Sequence, residues 1–147
     1  MRLLFITATR IGDAVLSTGL LGRLIEDNPD IEVTVAVGRL SAPLFAAVPG
    51  LERIIIIDKQ RYNRHWLRLW RHTAVRYWDI VVDLRGSAIS YLIPAGKRIV
   101  IGKRRPGRHR VEELGDLIGT APPPAPRLWL AEAVKARAAE KIPDGTP

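Results

Sequence analysis

The sequence has no cysteine. That excludes a disulfide framework and any cysteine-ligated metal centre, and it suits a reducing compartment. The only histidines are His65, His72 and His109, so no metal site is expected. Long apolar runs are also lacking. The longest unbroken aliphatic stretch is Ile54 to Ile57, far short of the ~20 residues a membrane-spanning helix needs. The opening residues lack the long apolar core and small-residue cleavage site of a secretory signal, which makes a cytosolic protein the expectation. The dinucleotide fingerprint G-x-G-x-x-G, the P-loop and the nucleophile elbow G-x-S-x-G are all absent. Nicotinamide, flavin, P-loop nucleotide and serine-hydrolase chemistry are therefore not expected.

Acidic residues are missing from two stretches, Lys59 to Trp78 and Leu84 to Val111. The first carries Arg61, Arg64, Arg68, Arg71 and Arg76; the second carries Arg85, Lys97, Arg98 and the run Lys103 to Arg110. The net charge is +8. Such a field draws polyanions: phosphorylated glycans, anionic headgroups or nucleic acid. The 147 residues, 47% of them hydrophobic, are enough for one domain with a real core.

Strand and helix patterns alternate along the chain. Strands are expected at about residues 2–7, 31–37, 53–57, 80–84 and 98–101. The third is nearly all β-branched, as a strand buried on both faces would be. Helices are expected at about 13–26, 41–48 (with Ser41 as cap and Pro43 in its first turn), 63–77, 87–93 and 111–118, the last ended by Gly119. Residues 120–130 form a proline-rich spacer, extended over Pro122 to Pro126. A short strand at 128–130 and a helix at 131–142 complete the pattern. The fold expected is α/β, a Rossmann-like, doubly wound parallel sheet.

In such sheets the chemistry gathers at the carboxyl edge of the strands. The first strand runs into Thr9-Arg10-Ile11-Gly12-Asp13 and then a helix, which puts Asp13 on that edge. Spacing alone reads Asp13 first as a helix cap. The functional alternative is a general base facing a cleft. Gly12 is either a plain turn residue or a place where the backbone comes close to a ligand or takes a positive φ. Arg10 and Arg85, with Thr9, make a candidate anion clamp, because guanidinium binds carboxylate and phosphate bidentately. Gly86 and Ser87 are expected to open a helix whose free N–H groups could hold an anion, with Asp83 steering Arg85. Trp66 and Trp70 read as core, with arginines on the solvated side. Arg105 and Arg108 lie in a basic loop that is either solvated or binding, and His109 reads as a cap-region residue.

The segments Thr9-Arg10-Ile11-Gly12-Asp13-Ala14-Val15-Leu16-Ser17-Thr18, Pro49 to Ile55 and Trp78 to Arg85 resemble glycosyltransferase family 9, the group containing the lipopolysaccharide heptosyltransferases. The likeness runs in order along nearly the whole chain and matches the first half of such an enzyme. It implies the N-terminal, acceptor-side domain of a two-domain GT-B glycosyltransferase, with the donor-binding domain outside these 147 residues. It implies sugar transfer with inversion and without metal, from a nucleoside-diphosphate sugar, ADP-heptose first among them. The acceptor would be the anionic inner core of lipopolysaccharide, met at the inner face of the cytoplasmic membrane. Asp13 would be the base. Thr9, Arg10, Gly12, Arg61, Arg64, Arg85, Ser87, Arg105 and Arg108 would face the acceptor. Some heptosyltransferases carry lysine at the end of the first strand where this chain has Thr7, a departure that bears on the acceptor. The residues also leave open a second class, a non-enzymatic basic module for nucleic acid or anionic membrane. That reading needs the arginines to form one stripe, and no nucleic-acid motif is present.

Overall fold

Strand segments rich in Val, Ile and Leu form one all-parallel sheet: β1 (Arg2–Ile6), β2 (Glu32–Val37), β3 (Leu51–Ile56), β4 (Trp78–Asp83) and β5 (Ala95–Val100). Their spatial order is β3-β2-β1-β4-β5. The molecule is known from a computed structural model that describes residues 1–58, 64–103 and 107–141. Every neighbouring pair is parallel, and β1 sits centrally between β2 and β4. This is the Rossmann-like, doubly wound sheet that the alternating pattern implies.

Side-chain alternation on β1 builds both faces of the core. Leu3 and Phe5 join the larger cluster, where α1 (Ile11–Asp27) and α4 (Arg110–Ile118) supply Ala14, Leu20, Leu21 and Leu114. Leu4 and Ile6 point the other way, into a cluster with Leu69 of α2 (Arg64–Thr73) and Ile89 of α3 (Ile89–Leu92). Helices on opposite faces complete the double winding.

Several elements differ from the sequence pattern. β3 is an edge strand, half covered rather than buried on both faces, and Ile56 is 36% exposed. The expected helix at 41–48 is a single 3-10 turn, Ala42–Phe45. Ser41 does not cap it; its hydroxyl donates to the Thr9 carbonyl at 3.3 Å. The helix expected from residue 87 shrinks to the one turn of α3. Residues 128–130 form no strand. Gly119 ends α4 in the left-handed conformation, as expected.

The proline-rich segment is a strap rather than a free spacer. The Arg127 N–H donates to Thr18 Oγ1 at 2.8 Å, and its guanidinium pairs with Glu26 at 2.6 Å. The carbonyl oxygens of Pro124 and Ala125 lie 2.5 and 2.6 Å from where a Cβ on Gly19 would stand. Only glycine lets the strap lie against α1 there. Beyond it, α5 (Glu132–Lys141) is exposed over residues 132–140. No helix among the described residues is long and apolar enough to cross a membrane.

Candidate active site

The strand order reverses between β1 and β4. The chain leaves β1 toward α1 on one face and β4 toward α3 on the other, so a crevice opens at the carboxyl ends of these two strands. Their ends are level: Ile6 pairs with Asp83, and the Leu84 N–H donates to the Ile6 carbonyl at 2.9 Å. Asp13 enters from the β1 side and Arg85 from the β4 side.

Thr7, fully buried, anchors the first loop. Its hydroxyl shares a 2.8 Å hydrogen bond with Ser17, which in turn donates to the Ala14 carbonyl at 2.7 Å. Thr9 and Arg10 are exposed. Arg10 is the N-cap of α1, in extended conformation and without a side-chain capping bond. The helix therefore starts two residues before Asp13, which lies inside the first turn. Asp13 accepts no capping bond and has no ion-pair partner among the described residues. The capping reading is corrected: a partly exposed carboxylate stands unpartnered at the positive end of α1. Gly12 lies in the first turn of α1 and is not in positive φ, so that one of its readings falls. Nothing lies within 4 Å of its missing Cβ, so bare backbone flanks the carboxylate and leaves room for a ligand.

Opposite, the β4 loop is organised by Asp83, which is fully buried. One carboxylate oxygen accepts the Arg85 N–H at 2.9 Å. The other accepts the Ser87 N–H at 2.8 Å and the Ser87 hydroxyl at 2.6 Å. Two expectations fall here. Asp83 steers Arg85 through its backbone, not by a salt bridge to its guanidinium. Ser87 offers no free N–H to an anion, because the carboxylate already holds it. The Arg85 guanidinium lies 4.8 Å from the centre of the Trp66 ring, a cation–π shelf. Burial lowers its pKa, and the Asp83 charge acts the other way. Trp66 is thus partly buried against the core and also supports Arg85. Trp70, read as core, is exposed at 39%.

Arg64, at the start of α2, is exposed. With Leu67, Arg68, Arg71 and His72 it lines an open groove of about 550 Å³. Arg108 is not available as expected: it pairs with Glu112 at 3.8 Å and with Asp116 on α4. Arg110 pairs with Glu113 at 3.2 Å and also donates to the Leu84 carbonyl at 3.4 Å, tying α4 to the crevice loop. His109 is the N-cap of α4. Arg61 and Arg105 lie outside the described residues. Among the described residues no group of three or more His, Asp or Glu side chains is placed to hold a metal ion.

Sequence reading missed the Asp83 bond set, although aspartate two and four residues before such N–H groups is a turn signature. It also missed Arg98, which donates to the carbonyls of Ser90, Ala95 and Ile93 at 2.8, 3.1 and 2.9 Å and braces α3 against β5. With Arg76 paired to Glu52 and Arg127 to Glu26, the basic residues do not form one stripe.

The same fold recurs in solved structures. The crystal structure of the glycosyl transferase family 9 from Veillonella parvula matches with a TM-score of 0.73 and 16% identity, over 98% of this chain and 50% of that one. The E. coli heptosyltransferase WaaC, with ADP-2-deoxy-2-fluoro heptose and with ADP, matches with a TM-score of 0.63 and 15% identity in both cases. There 98% of this chain is covered, and 56% and 55% of those. This chain thus spans about half the length of the structures it matches. No family model matches, and no curated protein sequence does. At this identity the likeness establishes the fold.

Proposed function

We propose that the chain is the acceptor-side domain of an inverting GT-B glycosyltransferase. A second domain, outside this sequence, would bind the nucleoside-diphosphate sugar, for which ADP-heptose is the candidate. The acceptor is the anionic inner core of lipopolysaccharide. Asp13 takes the proton of the acceptor hydroxyl as its oxygen attacks the anomeric carbon. The bond from that carbon to the diphosphate breaks, and ADP leaves with the bonding pair. No metal is needed in this scheme. Arg10, Arg64 and Arg85, with the Thr9–Gly12 backbone, hold the acceptor's carboxylates and phosphates beside that carboxylate.

The observation that carries this reading is the partly exposed, unpartnered Asp13 carboxylate in the first turn after β1, with Arg85 following the adjacent end of β4. A general base has to be free to take a proton within hydrogen-bond reach of the attacking oxygen. An aspartate spent on capping would not be. The nucleic-acid module is disfavoured because Arg76, Arg98, Arg108, Arg110 and Arg127 are engaged within the chain.

Calorimetric titration of the chain with inner-core saccharide and, separately, with ADP tests the domain assignment. The saccharide binds and ADP does not; Arg85→Ala weakens saccharide binding, while Asp13→Asn leaves it nearly intact. Tight ADP binding with no saccharide binding would overturn the assignment. In a two-domain protein carrying this chain, Asp13→Asn lowers kcat by a factor on the order of 10²–10⁴. Near wild-type turnover would remove Asp13 as the base.

A further inference from the structure

One edge of the sheet is β3. It pairs with β2 on one side, and no described residue pairs with it on the other. The parallel ladder fixes which backbone groups are left over. The Ile57 N–H donates to the Val37 carbonyl at 2.8 Å, so Ile57 and, two residues back, Ile55 turn their N–H and C=O groups toward β2. Ile54 and Ile56 turn theirs away from it, because these groups alternate along a strand. Among the described residues nothing bonds to those outward groups. Natural edges are normally blunted by charge, proline or a bulge. Ile54 to Ile57 carries none of these; the register shift lies earlier, opposite Val33 and Thr34.

Beside this edge lies a hollow of about 230 Å³, floored by residues Arg53 to Ile56 and walled by Arg68 and His72 of α2. Arg68 and His72 are exposed and stand one helical turn apart. Neither they nor Arg53 has a carboxylate within ion-pair distance among the described residues. Glu52, the acid on the strand, is held by Arg76. By alternation the Ile56 side chain points to the other face of the sheet, where it is 36% exposed. The edge is thus basic toward α2 and apolar on its opposite side.

We infer that β3 accepts an extended segment of an acidic protein partner as an added strand. Its acidic side chains face α2, and its apolar ones alternate with them toward Ile56. Strand addition takes affinity from main-chain bonds and specificity from alternate side chains. Charge complementarity selects this occupant: the sequence has no acid from Lys59 to Trp78, and carboxylates on the α2-facing side of the segment meet Arg68 and His72. A second copy joined antiparallel, edge to edge, would set Arg53, Arg68 and His72 of both copies on one face against each other. The edge stands two strands from β1 and its crevice, so this docking can fail while the transfer reading stands.

Fluorescence-polarisation titration of the 147-residue chain tests the inference. The probes are a labelled peptide in which valine alternates with glutamate and one in which valine alternates with lysine. The glutamate peptide binds, and the lysine peptide is weaker by a factor on the order of a hundred. Arg68→Gln with His72→Gln weakens the glutamate peptide by about tenfold. Both positions are exposed, so the variant should fold, which circular dichroism verifies. N-methylation of the peptide separates strand addition from simple charge attraction. Methylating either all valines or all glutamates removes the N–H groups that face β3 and abolishes binding; the other pattern leaves it within about twofold. Amide exchange at Ile54 and Ile56 slows on binding. No binding of the glutamate peptide, equal binding of the lysine peptide, or the same response to both N-methyl patterns would overturn the inference. So would a free chain that sediments as a dimer with the Ile54 and Ile56 amides protected.

Discussion

Removing the Asp83 carboxylate should loosen one wall of the crevice and cost a large share of the domain's stability. It is fully buried at the end of β4 and accepts from the Arg85 N–H, the Ser87 N–H and the Ser87 hydroxyl, at 2.9, 2.8 and 2.6 Å. Hydrogen bonds to a charged acceptor contribute roughly 1.5–3 kcal/mol each, so the gross loss in Asp83→Ala is about 4.5–9 kcal/mol. Two effects reduce it. Arg85 and Ser87 lie at the surface, where water can reach the released donors, and the variant no longer buries a charge. A net loss of about 3 kcal/mol remains, out of the ~5–15 kcal/mol typical of a domain. At this chain length that lowers Tm by about 6–12 °C. Asp83→Asn keeps the shape but must present a donor to one of the two N–H groups, and it should lose about half as much. Ser87→Ala removes a single bond and should cost about 1 kcal/mol. Because Asp83 and Ser87 share that bond, the double variant should fall short of additivity by about 1 kcal/mol. Calorimetry and urea unfolding of the four proteins measure this. A Tm drop under about 2 °C in Asp83→Ala, or full additivity, would refute the idea that this carboxylate holds the loop.

Two other perturbations test the edges of the fold. Gly19→Ala would stabilise an unencumbered helix by up to about 1 kcal/mol. Here the new Cβ would meet carbonyl oxygens at 2.5 and 2.6 Å, so the strap should lift and limited proteolysis should cut within 121–130 before the rest of the chain unfolds. Unchanged protection of that segment would show that the strap does not need Gly19. The Arg76 hydrogen bond holds the Glu52 carboxyl below its usual range, against partial desolvation that raises it. A depressed folded-state pKa contributes stability above the unfolded value, and that is lost as pH falls through the folded value. The stability gap between wild type and Glu52→Gln should therefore be widest near neutrality and close below about pH 4.5. A gap that grew on acidification would reverse the sign and refute the pairing.

How much of this was legible in the sequence depends on whether the deciding partner is near in the chain. The apolar run of β1 and the strand-turn-helix that follows place Asp13 on the sheet edge from local pattern alone. Whether Asp13 caps the helix was not legible, because that turns on a boundary: a helix beginning at Ile11 rather than Asp13 moves the side chain past the capping position. The run Ile54–Ile57 could not separate a central strand from an edge strand, since apolar composition is the same for both. Strand order decides what covers β3, and that follows from the crossover through α2 to β4 on the far side of β1. The helix expected at 87 starts later: the Asp83 carboxylate holds a turn through Gly86, which sits at φ 63°, and α3 begins only at Ile89.

Charge shows the same division more sharply. In the sequence, the excess of +8 reads as two long basic tracts with no internal relief. In the fold, carboxylates from elsewhere neutralise part of them. Glu52 reaches Arg76, Asp116 reaches Arg108 and Glu26 reaches Arg127, while backbone carbonyls occupy Arg98. Such pairs are exposed and each adds little to stability, but together they decide where positive charge is left over. Arg64, Arg68 and Arg71 on α2, Arg10 at the head of α1, and Arg85 on its tryptophan shelf have no carboxylate in salt-bridge range among the described residues. Lys97, Lys103 and Arg137 also have none, so only part of the remaining field lies along α2 and at the β1/β4 edge. An anion attracted to the chain is led toward Asp13, the one acidic group at that crevice left without a hydrogen-bond or ion-pair partner among the described residues.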